Sequence, residues 1–166
     1  MIPSRCRTLL NLSLLISAIW IQPVGAQPAL VKDINIWGSS SPRELVAIGN
    51  VVYFVADNGI NSIELWRSTG TAAGTVLVKD IRPSSAGSFP SALTNVNGML
   101  YFAVDNGVHG RELWRSTGTA AGTVLVKDIR PSSAGSFPNA LTNVNGVLYF
   151  VADNGVYGYE LWRLAP

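Results

Sequence analysis

The strongest constraint in this chain is that it repeats itself. The triplet Glu-Leu-Trp occurs at 64–66, 112–114 and 160–162, each spaced by 48 residues. Residues 64–111 and 112–159 align without a gap. They differ only at Ser91/Asn139, Met99/Val147, Ala103/Val151, Val104/Ala152, His109/Tyr157 and Arg111/Tyr159. A more divergent copy precedes them: Pro42 to Ile63 matches Pro90 to Arg111, and Val31 to Ile34 matches Val78 to Ile81 after a one-residue deletion. A chain built this way must fold as one supersecondary unit used several times, with neighbouring units burying each other's apolar faces.

Four strands are expected in each unit. In the middle copy the first is Ala92 to Val96, followed by Asn97-Gly98, a two-residue hairpin signal because both positions of the favoured turn need positive φ. The second is Met99 to Asp105, with Leu100, Phe102 and Val104 on one side and Tyr101 and Ala103 on the other. Both sides are apolar, so both should be covered. A loop from Asp105 to Gly110 leads to the third strand, Arg111 to Ser116. A Gly- and Thr-rich loop then leads to the fourth, Thr123 to Ile129, a β-branched run suited to a buried strand. A hydrophobic fraction of 48% with only 13% charged residues and 16 glycines fits this reading better than helices or disorder.

The repeats run approximately 42–81, 90–129 and 138–166, with a lone strand at 30–34. Four antiparallel strands per unit of this length predict an all-β, β-propeller-like array of three blades. A β-solenoid is the alternative. Three blades are fewer than the usual four to eight. Either a homodimer completes a six-bladed ring, or the chain is a shortened relative of a longer array. The lone strand could instead complete the final blade, which would otherwise leave an open sheet edge.

The N-terminus reads as a secretory signal peptide over residues 1–26. Arg5 and Arg7 precede an uncharged apolar stretch from Leu9 to Ile21, and Val24-Gly25-Ala26 offers a small-residue cleavage site before Gln27. That stretch is shorter than the roughly 20 residues of a membrane span, although an uncleaved anchor is the competing reading. Cleavage leaves 27–166 as the repeat domain, with no membrane span. It also removes Cys6, the single cysteine, which excludes disulfide scaffolds, thiol catalysis and Cys-ligated zinc. Ten basic residues then face ten acidic ones. Without a basic excess, nucleic acid is not an expected partner.

Few residues invite chemistry. Trp66, Trp114 and Trp162 are either platforms for stacking sugars or packing residues between units, and packing is favoured. Glu64, Glu112 and Glu160, with Lys79, Asp80, Lys127 and Asp128, are read as cross-strand ion pairs in preference to a charged ligand channel. The loops starting at Asp57, Asp105 and Asp153 each read Asp-Asn-Gly and are weak calcium candidates. Calcium needs six to eight oxygens, more than these loops show, and an Asx turn explains the same residues without an ion. His109, the one histidine, lacks a repeated partner and a nucleophile motif, so it reads as a loop residue. No cofactor is expected, and no catalytic residue is assigned.

The run Glu112-Leu113-Trp114-Arg115-Ser116-Thr117-Gly118-Thr119, then Gly122-Thr123 and Leu125 to Ile129, resembles the ELWxxDGT repeat family of secreted bacterial proteins. The copy starting at Glu64 matches equally well. One departure is consistent: Thr69 and Thr117 stand where that family usually has Asp. The resemblance implies a propeller-like extracellular array without established catalytic residues. The expected function is a secreted, non-catalytic binding or structural module of the cell surface or extracellular space, with the periplasm as the other compartment. Its partner would be a polysaccharide or another protein. The alternatives are a glycan hydrolase or lyase, which needs converging carboxylates, and a truncated fragment of a longer repeat protein.

Overall fold

Asparagine and glycine place the chain reversals, and the strands follow from them. The computed structural model describes residues 27–83 and 86–165. Asn97 and Gly98 have φ of 51° and 84°, and Asn145 and Gly146 repeat those values, as the primed hairpin turn demands. Around these turns the described residues form eleven strands. They are β1 (Arg43–Ile48), β2 (Val51–Asp57), β3 (Ile63–Ser68), β4 (Val76–Lys79), β5 (Ser91–Val96), β6 (Met99–Asp105), β7 (Arg111–Ser116), β8 (Val124–Lys127), β9 (Asn139–Val144), β10 (Val147–Asp153) and β11 (Tyr159–Leu164).

The architecture is all-β. Three antiparallel sheets run β1-β2-β3-β4, β5-β6-β7-β8 and β9-β10-β11, and none closes into a barrel. The second and third strands of the middle unit have the expected bounds, while the fourth is trimmed to Val124–Lys127. Register slips by a bulge in β1, β5 and β9, where Glu44, Ala92 and Ala140 take φ near 55°. The first strands of successive sheets lie side by side, β1 against β5 and β5 against β9.

Both faces of the middle sheet are covered, as the alternation in β6 required. Leu100, Phe102 and Val104 are fully buried against Tyr53, Val55, Leu65 and Val78 of the first sheet. On the opposite face Leu113, Ile129, Tyr101 and Val126 pack on Leu148, Phe150, Ala152 and Trp162 of the third. Each contact joins the outgoing face of one unit to the incoming face of the next. Burying large side chains at about 1.5–3 kcal/mol each makes these two contacts the main adhesive between sheets.

The lone strand expected at 30–34 is not a strand. Residues 27–42 have no regular structure, because no strand lies beside them to complete a ladder. Nor does this leader complete the third sheet. It lies on the first sheet, with Ile34 packed against Phe54, Ala56 and Trp66. Lys32 Nζ donates to the Thr75 carbonyl at 2.8 Å. Lys79 Nζ does the same to Thr123 at 2.9 Å, one unit later. The leader therefore sits on sheet one as the end of β4 sits on sheet two. The signal peptide expected at 1–26 lies outside the described residues, among which no helix is long and apolar enough to cross a membrane.

Candidate functional site

Glu64 and Glu112 are the most buried acidic residues, each with no solvent exposure. They sit second in β3 and β7, on strands flanked on both sides, so their carboxylates point into the interior. Neither makes the cross-strand ion pair expected of it among the described residues. Glu64 Oε1 accepts from the Ser88 N–H at 2.8 Å, and Oε2 accepts from the Ser88 hydroxyl at 2.5 Å and the Ile81 N–H at 3.3 Å. Glu112 accepts from the N–H groups of Ile129 and Arg130, both at 3.2 Å, and from the Ser136 hydroxyl at 2.5 Å. Each carboxylate thus clamps the segment that leaves its sheet for the next one. Isolated from water, a carboxylate needs several donors, and connecting-segment amides with no sheet partner need an acceptor.

Burial pushes the Glu64 carboxyl up to about 7. The Asp80 charge adds to the rise, while the hydrogen bonds from Ser88 and Ile81 oppose it. Glu160, the third member of the series, is exposed, and its carboxylate has no hydrogen-bond partner among the described residues.

Asp105 Oδ1 accepts from the Gly107 N–H at 2.7 Å, and Asn106 Oδ1 accepts from Val108 and His109. The same bonds brace the loops after Asp57 and Asp153. These are Asx turns. The second oxygen of Asp105 pairs with Arg82 at 2.9 Å, and that of Asp153 with Arg130 at 2.7 Å. Two of the three weak calcium candidates thus have both carboxylate oxygens engaged by protein donors. Among the described residues no group of three or more His, Cys, Asp and Glu side chains could hold a metal ion.

His109 Nδ1 lies 3.1 Å from Asp128 Oδ2, and Asn61 Nδ2 donates to Asp80 Oδ2 at 2.8 Å in the equivalent place. The histidine therefore does the work an asparagine does elsewhere, fastening a loop to the aspartate just past the last strand of its sheet. Trp66 and Trp114 are buried opposite Phe54 and Phe102 in the strand register, and Trp162 opposite Phe150 is half-buried. Lys79 Nζ stands 5.7 Å from the Trp114 ring centre, within cation–π range.

Each Asx loop also carries an exposed aliphatic residue at the same position. Ile60, Val108 and Val156 are 62%, 64% and 75% exposed, each between the second and third strands of its sheet. Sequence reasoning passed over them because a lone valine in a polar loop carries no motif. It also passed over Ser88 and Ser136, hidden among other serines of the connectors. No family model, curated protein or solved structure matches the chain.

Proposed function

We propose that the protein is a non-catalytic binding or structural module of the extracellular space or cell surface, arranged as a propeller-like array of units. One observation carries this reading: each unit holds an exposed apolar side chain, Ile60, Val108 or Val156, on a loop made rigid by Asx hydrogen bonds. Apolar groups displayed on stiff loops lose little entropy on binding and suit recognition. Supporting it, Glu64 and Glu112 are engaged in holding connectors, which removes the most buried carboxylates from the acid–base chemistry a glycan-cleaving enzyme requires.

The partner is an extracellular polysaccharide or protein. Sedimentation of the purified protein with cell-envelope polysaccharide and with whole cells tests this. Binding that falls at least tenfold in an I60S/V108S/V156S variant of unchanged thermal midpoint supports the proposal. Unaltered binding by that variant, or hydrolysis of the polysaccharide, overturns it.

A further inference from the structure

The exposed apolar side chains are concentrated at the two ends of the row of sheets, and the two ends carry the residues that form the two halves of the contact between the first and second sheets. At the third sheet Leu161 is 72% exposed, whereas its counterparts Leu65 and Leu113 are at 0% and 1%. Tyr159 and Tyr157 are likewise 58% and 75% exposed. This is the outgoing face, which in the first sheet, through Tyr53, Val55 and Leu65, packs on the second. At the first sheet the leader covers only part of the incoming face, burying Phe54, Ala56 and Trp66. Leu30, Val31, Leu45 and Val52 are 82%, 44%, 66% and 37% exposed and line an apolar cleft of about 380 Å³ with Ile34 and Phe54.

The leader on that incoming face also carries what the outgoing face lacks. Val31 to Ile34 corresponds to Val78 to Ile81, of which Lys79 pairs with Leu65 in the β3–β4 ladder. Ser40 corresponds to Ser88: its carbonyl accepts from the Asp57 N–H at 2.9 Å, as the Ser88 carbonyl accepts from Asp105 at 3.2 Å. Ser88 is the residue Glu64 clamps. Glu160 has no such partner among the described residues, and the half-buried Ser40 is the serine of the series that no glutamate holds among them.

We propose that two copies of this chain associate reciprocally, the third sheet of each docking on the leader and first sheet of the other. Residues 29–32 of one copy, the counterparts of β4, then pair with β11 of its partner as a fourth strand. Glu160 closes on the Ile34 amide and on Ser40 across the junction. Continuity with the contact between the first and second sheets argues for a second copy as the occupant, because the same residue types meet in the same register. A head-to-tail contact made twice closes on itself with a two-fold axis and leaves no open edge.

Light scattering of the protein as purified, its N-terminus read by mass spectrometry, is expected to give twice the chain mass at micromolar concentration. E160A and L161D should each give a single-chain mass with an unchanged β-type circular dichroism spectrum, since both side chains are exposed in one chain. Copies carrying L161C mixed with copies carrying K32C should form a disulfide-linked pair under mild oxidation, because Leu65 and Lys79 are directly opposed in the ladder. A single-chain mass for the unaltered protein, an open-ended ladder of sizes, or no L161C–K32C cross-link overturns the proposal.

Discussion

Ser88 and Glu64 are joined by two hydrogen bonds across 24 residues of sequence, one from the hydroxyl at 2.5 Å and one from the amide at 2.8 Å. Ser136 and Glu112 repeat the hydroxyl bond. Truncating either glutamate to alanine leaves buried amide and hydroxyl donors without an acceptor, at about 1–3 kcal/mol for each group so stranded. E64A and E112A are therefore expected to lose about 2–5 kcal/mol in urea unfolding. E160A should change the stability of the single chain by less than about 0.5 kcal/mol, as an exposed site does.

Burial of Glu64 makes stability depend on pH in the direction opposite to most carboxylates. Glu64 titrates near 4.5 in the unfolded chain and at about 7 when folded. Between those values the folded state holds a proton that the unfolded state has lost, so stability falls as pH rises. Its contribution is fully present below about pH 4.5 and is gone above about pH 7, a span worth about 3 kcal/mol. E64Q, which stays neutral, should remove this part of the slope. Urea midpoints of both proteins at pH 5 and pH 8 check it: the difference between them should shift toward the variant at the higher pH.

Much of the fold was legible because the repeat displays its own registration. Asn97-Gly98 placed the hairpin, and the alternation of Leu100 to Val104 foretold a sheet covered on both faces. The charged residues were harder. Glu64 beside Lys79 reads as an ion pair when neighbours along and across strands are the known contacts, yet its partner is a serine in a connector with no periodicity. The segment expected as a lone strand at 30–34 shares the end of β4 in sequence but not its partner strand, and a strand is a property of a pair. The loop tips Ile60, Val108 and Val156 became visible only once exposure was known.

Gly118 and Gly70 are equivalent positions that separate two effects. Both have φ near 87°, where any side chain is strained. A Cβ on Gly70 meets nothing within 4 Å, whereas one on Gly118 falls 2.2 Å from the Tyr53 hydroxyl of the preceding sheet. G70A should cost about 1 kcal/mol from backbone strain alone. G118A should cost about 1–3 kcal/mol more from overpacking between units. Y53F in the G118A background should recover part of that excess, and a double-mutant cycle by thermal unfolding measures how much.

The Arg82–Asp105 and Arg130–Asp153 pairs tie each connector to the next Asx loop. The arginines are 37% and 36% exposed, so solvent weakens both pairs. R82Q and R130Q should each lower stability by less than about 1 kcal/mol. The loss should shrink further between 0.05 and 1 M sodium chloride, a dependence that E112A should not show.

The hydrogen bonds that cross from one sheet to the next, from Lys79–Thr123 to Asn97–Gly146, span no more than 49 residues among the described ones. A unit therefore waits for a single successor before its outgoing face is covered, however many units a gene encodes. Folding can proceed unit by unit along the chain, and the entropy of closing each contact is the same from one contact to the next.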